Sequence, residues 1–218
     1  MSARPSLLAA ARSTPRDSWR WIRWDLPLRV LPLLFLPLLL VALTPLSART
    51  IGFTTAQLGM QIAFAALLGP PFAWLAWWFR WRYVRFVVVP TDADNAVQCL
   101  YYVILNTPAE ELFFRGLLLG WLQGRIGAPA AWLISTALFG LYHIPAGWGW
   151  RAVVGVTAGG GLFGALFLLG PDSGSSVLPM LVHACGTCAF LSLGPWAAFR
   201  LEVRRNARLS RQSCRPNM

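Results

Sequence analysis

Long apolar blocks joined by short polar segments fill the chain between residues 30 and 199. Residues 30–46 are rich in leucine and carry Pro32, Pro37 and Pro45. Prolines inside a spanning helix kink it, and neighbouring groups satisfy the carbonyls they free. A second block covers residues 54–78 and is interrupted near Gly69, Pro70 and Pro71. Four more cover 96–123, 129–147, 152–170 and 177–199. In the fifth block, Gly159, Gly160, Gly161 and Gly164 allow close helix approach. Polar joints fall at 47–50 and 91–95, and the clearest turn is at 171–176. The pattern predicts an all-α, polytopic transmembrane helix bundle of about six spans. It divides the chain into a tail (1–29), an N-terminal pair of spans with its loop (30–95), a core (96–199) and a second tail (200–218).

Composition agrees with a membrane protein. Hydrophobic residues make up 56% of the chain and charged residues 12%, whereas soluble domains carry about 25% charged residues. The formal net charge of +11 would suggest nucleic acid in a soluble chain, but its distribution argues against that partner. There is no lysine, so all 19 cations are arginines. Six precede residue 30 (Arg4, Arg12, Arg16, Arg20, Arg23, Arg29), and six more lie between Arg200 and Arg215. That bias predicts an integral, multi-pass protein of the cell membrane with both termini cytoplasmic. Arg80, Arg82, Arg85 and Arg151 place loops 80–95 and 145–151 on the same side, with Arg49 and Arg125 opposite. Two aromatic clusters suit the membrane interface: Trp19, Trp21 and Trp24, then Trp74, Trp77, Trp78, Trp81 and Tyr83. Of the cysteines Cys99, Cys185, Cys188 and Cys214, the middle two have redox-motif spacing. They lie in an apolar helix, where small residues packing between helices explain them better.

Three ionisable residues interrupt the third block: Glu110, Glu111 and Arg115. A charge at bilayer depth costs roughly 2.5–3.5 kcal/mol on insertion scales and marks a functional site by default. One reading is structural. Thr107 is a good N-cap, Pro108 fits the first helical position and Glu110 the third, which makes a capping box. Glu111 and Arg115 then pair one turn apart. Glu110 points about 100° away from Glu111, so the two carboxylates need not share a job. The other reading is chemical. The two histidines, His143 and His183, fall in the same four-block core. A polar intramembrane cavity shared by Glu110, His143 and His183 suits a divalent metal such as zinc. It equally suits a Glu/His pair that activates water.

Glu110-Glu111-x-x-x-Arg115, Phe139-x-x-x-His143, and His183 followed four residues on by a polar position resemble the motifs of the CPBP intramembrane protease family. That family includes CAAX prenyl endopeptidases, bacteriocin-processing and self-immunity proteins and the Abi proteins. The proline before the glutamates and the Phe-Arg-Gly after them also match. The resemblance covers about residues 95–195. It implies that Glu110 activates the attacking water with His143 beside it, and that Glu111 and Arg115 hold the site's geometry. It implies that His183 and its i+4 partner bind the oxyanion. The family usually has Asn or Asp at that partner position; here it is Thr187, whose hydroxyl can donate one hydrogen bond.

The resemblance therefore implies an intramembrane endopeptidase, with a peptide or membrane-protein substrate and the lipid bilayer as partners. Two rivals stand beside it. One is a catalytically silent scaffold or immunity protein of the same family, which Thr187 favours. The other is a small proton- or ion-coupled transporter, which the lack of an internal repeat disfavours.

Overall fold

The computed structural model describes residues 7–84, 88–147 and 149–213. Arg4, Arg85, Cys214 and Arg215 lie outside the described residues. The chain is a helical bundle, as the apolar blocks predict. Helix α1 (Pro15–Asp25) passes through a widened turn (Leu26–Val30) into α2 (Leu31–Leu43). Helix α3 spans Leu58–Phe79 and ends in a second widened turn (Arg80–Val84). A two-residue parallel pair, β1 (Arg12–Ser13) and β2 (Val89–Pro90), ties the N-terminal segment to the start of the core.

The core opens with helical backbone from residue 92 to residue 126. Within it α4 (Asp92–Tyr101), α5 (Thr107–Glu111) and α6 (Gly120–Ile126) alternate with wide i→i+5 segments (Tyr102–Asn106 and Leu112–Leu119). Then follow α7 (Ala128–Tyr142), α8 (Trp150–Leu169), α9 (Val177–Leu191) and α10 (Leu193–Ser213). Among the described residues, three stretches are long and apolar enough to cross a membrane: Pro15–Leu43, Leu58–Val84 and Trp150–Leu169. The pair α9 and α10, bent by 47°, makes a fourth if it counts as one span.

The other expected spans are helical but differ from a plain crossing. The 96–123 block carries Glu110, Glu111 and Arg115 and is divided by its wide segments. Helix α7 has 15 residues, about 22 Å at 1.5 Å per residue, which is short for a core of about 30 Å. The expected 177–199 span turns at Ser192, because Pro195 lacks an N–H and its ring crowds the carbonyl four residues back.

Residues 15–29, expected in a basic tail, are helical. In one buried cluster Ile22 and Val30 pack with Tyr101, Tyr102, Ala109 and Cys188. The far tail is helical too: Trp196 Nε1 and Arg200 Nη2 donate to the Asp92 carboxylate at 2.7 and 2.8 Å. Arg80, expected in a cytoplasmic loop, is buried and donates to the Phe190 carbonyl at 2.6 Å. Helix α3 packs along α9. Gly186 faces the Phe72 ring so closely that any Cβ would overlap it. Gly69 lies against Cys185 in the same way. The Cys185–Cys188 segment is thus part of a helix contact, as small-residue packing predicts.

Candidate active site

Pro108 removes a backbone donor in mid-helix and its ring presses on the preceding turn. The chain answers by widening, not by breaking. Tyr102–Asn106 takes the i→i+5 register, and Thr107 Oγ1 donates to the Tyr102 carbonyl at 2.9 Å. Single wide turns of this kind are frequent at functional sites. The expected helix start at Thr107, with Glu110 as its cap, is therefore corrected. Asn106 and Thr107 have helical backbone, and Glu110 sits inside a continuous helical run.

That register buries both glutamates fully but sends them to different partners. Glu111 Oε1 accepts from Arg115 Nη1 at 3.0 Å and from His183 Nδ1 at 2.8 Å. Arg115 Nη2 donates to the Gly160 carbonyl at 2.7 Å, and its guanidinium lies 4.2 Å from the Phe139 ring centroid. The expected Glu111–Arg115 pair is present and reaches α8 and α9 as well. A carboxylate only accepts, so His183 carries a proton on Nδ1. The His183 ring stacks on Phe163 at 4.4 Å.

Glu110 Oε1 accepts from Asn106 Nδ2 at 3.1 Å and from Arg29 Nη1 at 2.6 Å. Its other oxygen, Oε2, is buried, has no hydrogen-bond partner among the described residues and lies 3.7 Å from His183 Nε2. That separation is too long for a hydrogen bond, so the two groups face each other without a direct bond. His143 Nδ1 lies 2.8 Å from the Phe139 carbonyl, which fixes its proton there and leaves Nε2 as the ring's acceptor. Glu110, His143, His183 and Thr187 all line one cavity of about 910 Å³. Glu111 and Arg115 stand behind it.

The sequence reading missed Arg29, Asp25, Asn106 and Tyr142. Arg29 counted as one more tail arginine. The available signal was Arg29's setting: it is flanked by Leu28 and Val30 and follows Asp25 by four residues. Among the described residues, no group of three or more His, Cys, Asp or Glu side chains is arranged to hold a metal ion. The expected zinc set of Glu110, His143 and His183 shares the cavity, but the cation against Glu110 is the Arg29 guanidinium.

A family model described as Type II CAAX prenyl endopeptidase Rce1-like matches residues 92–188. No curated protein and no solved structure matches the chain. The matched segment holds Glu110, Glu111, Arg115, His143, His183 and Thr187. Arg29 and Asp25 lie outside it.

Proposed function

Residues 92–188 belong to the Type II CAAX prenyl endopeptidase Rce1-like family, within the CPBP/Abi proteins, and from that premise we propose that this membrane-embedded chain is an intramembrane endopeptidase. Its substrate is a peptide or the membrane-proximal end of a membrane protein. The observation that carries the reading is Glu110 Oε2, buried, unpartnered among the described residues and 3.7 Å from His183 Nε2 in the shared cavity. A water held between them loses a proton to Glu110 as its oxygen adds to the scissile carbonyl carbon. The tetrahedral oxyanion takes hydrogen bonds from the Thr187 hydroxyl and, when the ring carries a proton on both nitrogens, from His183 Nε2. Glu110 then passes the proton to the departing amine as the C–N bond breaks, giving a carboxylic acid and an amine. Such proton transfer contributes roughly 10²–10⁴-fold. Glu111 and Arg115 hold His183 in place, and His143 lines the side of the cavity nearest α7.

No metal enters this route. Two guanidinium groups, those of Arg29 and Arg115, face Glu110 and Glu111 directly. The cavity opens toward the cytoplasm in this reading, and both termini lie on that side of the cell membrane. In support, the Leu7 amide donates to Glu202 Oε2 at 3.0 Å, so the first described residues meet α10. Thr187 favours the second reading, a silent member that acts by binding a partner.

The test is cleavage of a membrane-peptide library by the protein in proteoliposomes, with products read by mass spectrometry. The expected result is cleavage near the bilayer surface that persists in chelator. Loss of cleavage on chelation with recovery on adding zinc would overturn the metal-free route. No cleavage under any metal condition would leave the silent reading in its place.

A further inference from the structure

The two carboxylates obtain their counter-ions in different ways. Glu111 finds Arg115 four residues on in its own helical run. Glu110 has Phe113 and Phe114 at the corresponding positions, so one turn away the run offers it Asn106 but no cation. The cation comes from the turn between α1 and α2.

Arg29 is held there from several sides. Its Nη1 donates to Glu110 Oε1 and to the Tyr142 hydroxyl, each at 2.6 Å. Its Nη2 donates to Asp25 Oδ2 at 2.6 Å and also to Asn106 Oδ1. Its Nε donates to Asp25 Oδ1. Asp25 in turn accepts from the Tyr101 hydroxyl. Trp21, one turn earlier on α1, stacks on Tyr102 at 6.2 Å and meets Tyr101 edge-on at 5.4 Å. A planar guanidinium can serve these partners at once, and a lysine ammonium cannot.

We propose that Arg29 is a positioning residue for Glu110, delivered by the N-terminal helix, so that a segment outside the family-matched core completes the site. The proposal rests on the endopeptidase reading. Arg29 and Asn106 together hold Oε1, which leaves Oε2 as the oxygen turned to His183. Asp25, Tyr101 and Trp21 hold Arg29.

The experiment compares wild type, Arg29→Met, Arg29→Lys, Glu110→Gln and the two double variants, all purified in nanodiscs. Melting temperature is read for each. For a peptide that wild type cleaves, kcat and KM are read for the Arg29 variants. Arg29→Met should lower the melting temperature by several degrees when Glu110 is present, because a buried carboxylate loses its counter-ion. It should lower it far less in the Glu110→Gln background. On the cleaved peptide, Arg29→Met should lower kcat by about 10²-fold with KM little changed, and Arg29→Lys should recover part of the loss. Equal melting losses in both backgrounds, or unchanged kcat in Arg29→Met, would overturn the proposal. Background-dependent melting in a wild type that cleaves nothing would instead overturn the endopeptidase reading and with it the positioning role, leaving only an ion pair.

Discussion

Glu111, Arg115 and His183 form a chain of contacts that ties three parts of the core together. Arg115 is fully buried, paired with Glu111 and lodged against the rings of Phe139 and Phe163. Breaking a buried ion pair from one side strands the other charge, so Arg115→Met should lower stability by about 3–5 kcal/mol, measured by melting in detergent. Arg115→Lys should not restore it, because the second nitrogen also serves the Gly160 carbonyl. At Thr187 the expectation runs the other way. Thr187→Asn exchanges the hydroxyl for a longer amide donor, which should reach the oxyanion better and raise kcat. A fall would show that the hydroxyl, not its length, is what the site needs. The Glu111–Arg115 pair was legible in the sequence because helical spacing alone brings i and i+4 together. The Arg29–Glu110 pair was not, because 81 residues separate the partners and only the packed fold joins them.

At the scale of elements, the apolar blocks located the helices between residues 30 and 199 but not how their backbone is wound. Pro108 reads as a helix start from sequence, since proline favours the first turn. The structure keeps the helix and widens it, with Thr107 covering the Tyr102 carbonyl. Propensity cannot distinguish the two, because packing on both sides of the proline decides. Gly116 has a cause that is likewise visible only in three dimensions. A Cβ there would overlap the carbonyl of Ile51, in the segment after α2 whose Gly52 carbonyl accepts from the Ser176 amide at 2.8 Å. Gly116→Ala must push backbone against backbone, so it should lower stability by about 1–3 kcal/mol. Unchanged melting would mean that this segment yields freely.

Across the whole molecule, arginine bias and apolar blocks gave the bundle and its membrane setting. They misassigned residues 15–29, because an amphipathic helix rich in arginine and tryptophan looks like an interfacial tail until its partners are known. The N-terminal segment instead packs on the core and meets the C-terminal helix through the Leu7–Glu202 contact. On the proposed topology, reporter domains fused to either end should both report the cytoplasm, and opposite sides would contradict it. The central claim is that Glu110 activates water for peptide hydrolysis, and one comparison tests it most directly: kcat of wild type and of Glu110→Gln on the same peptide in the same proteoliposomes. The account predicts a loss of roughly 10²–10⁴-fold in Glu110→Gln with the fold intact by melting. Equal rates for the two proteins would contradict it.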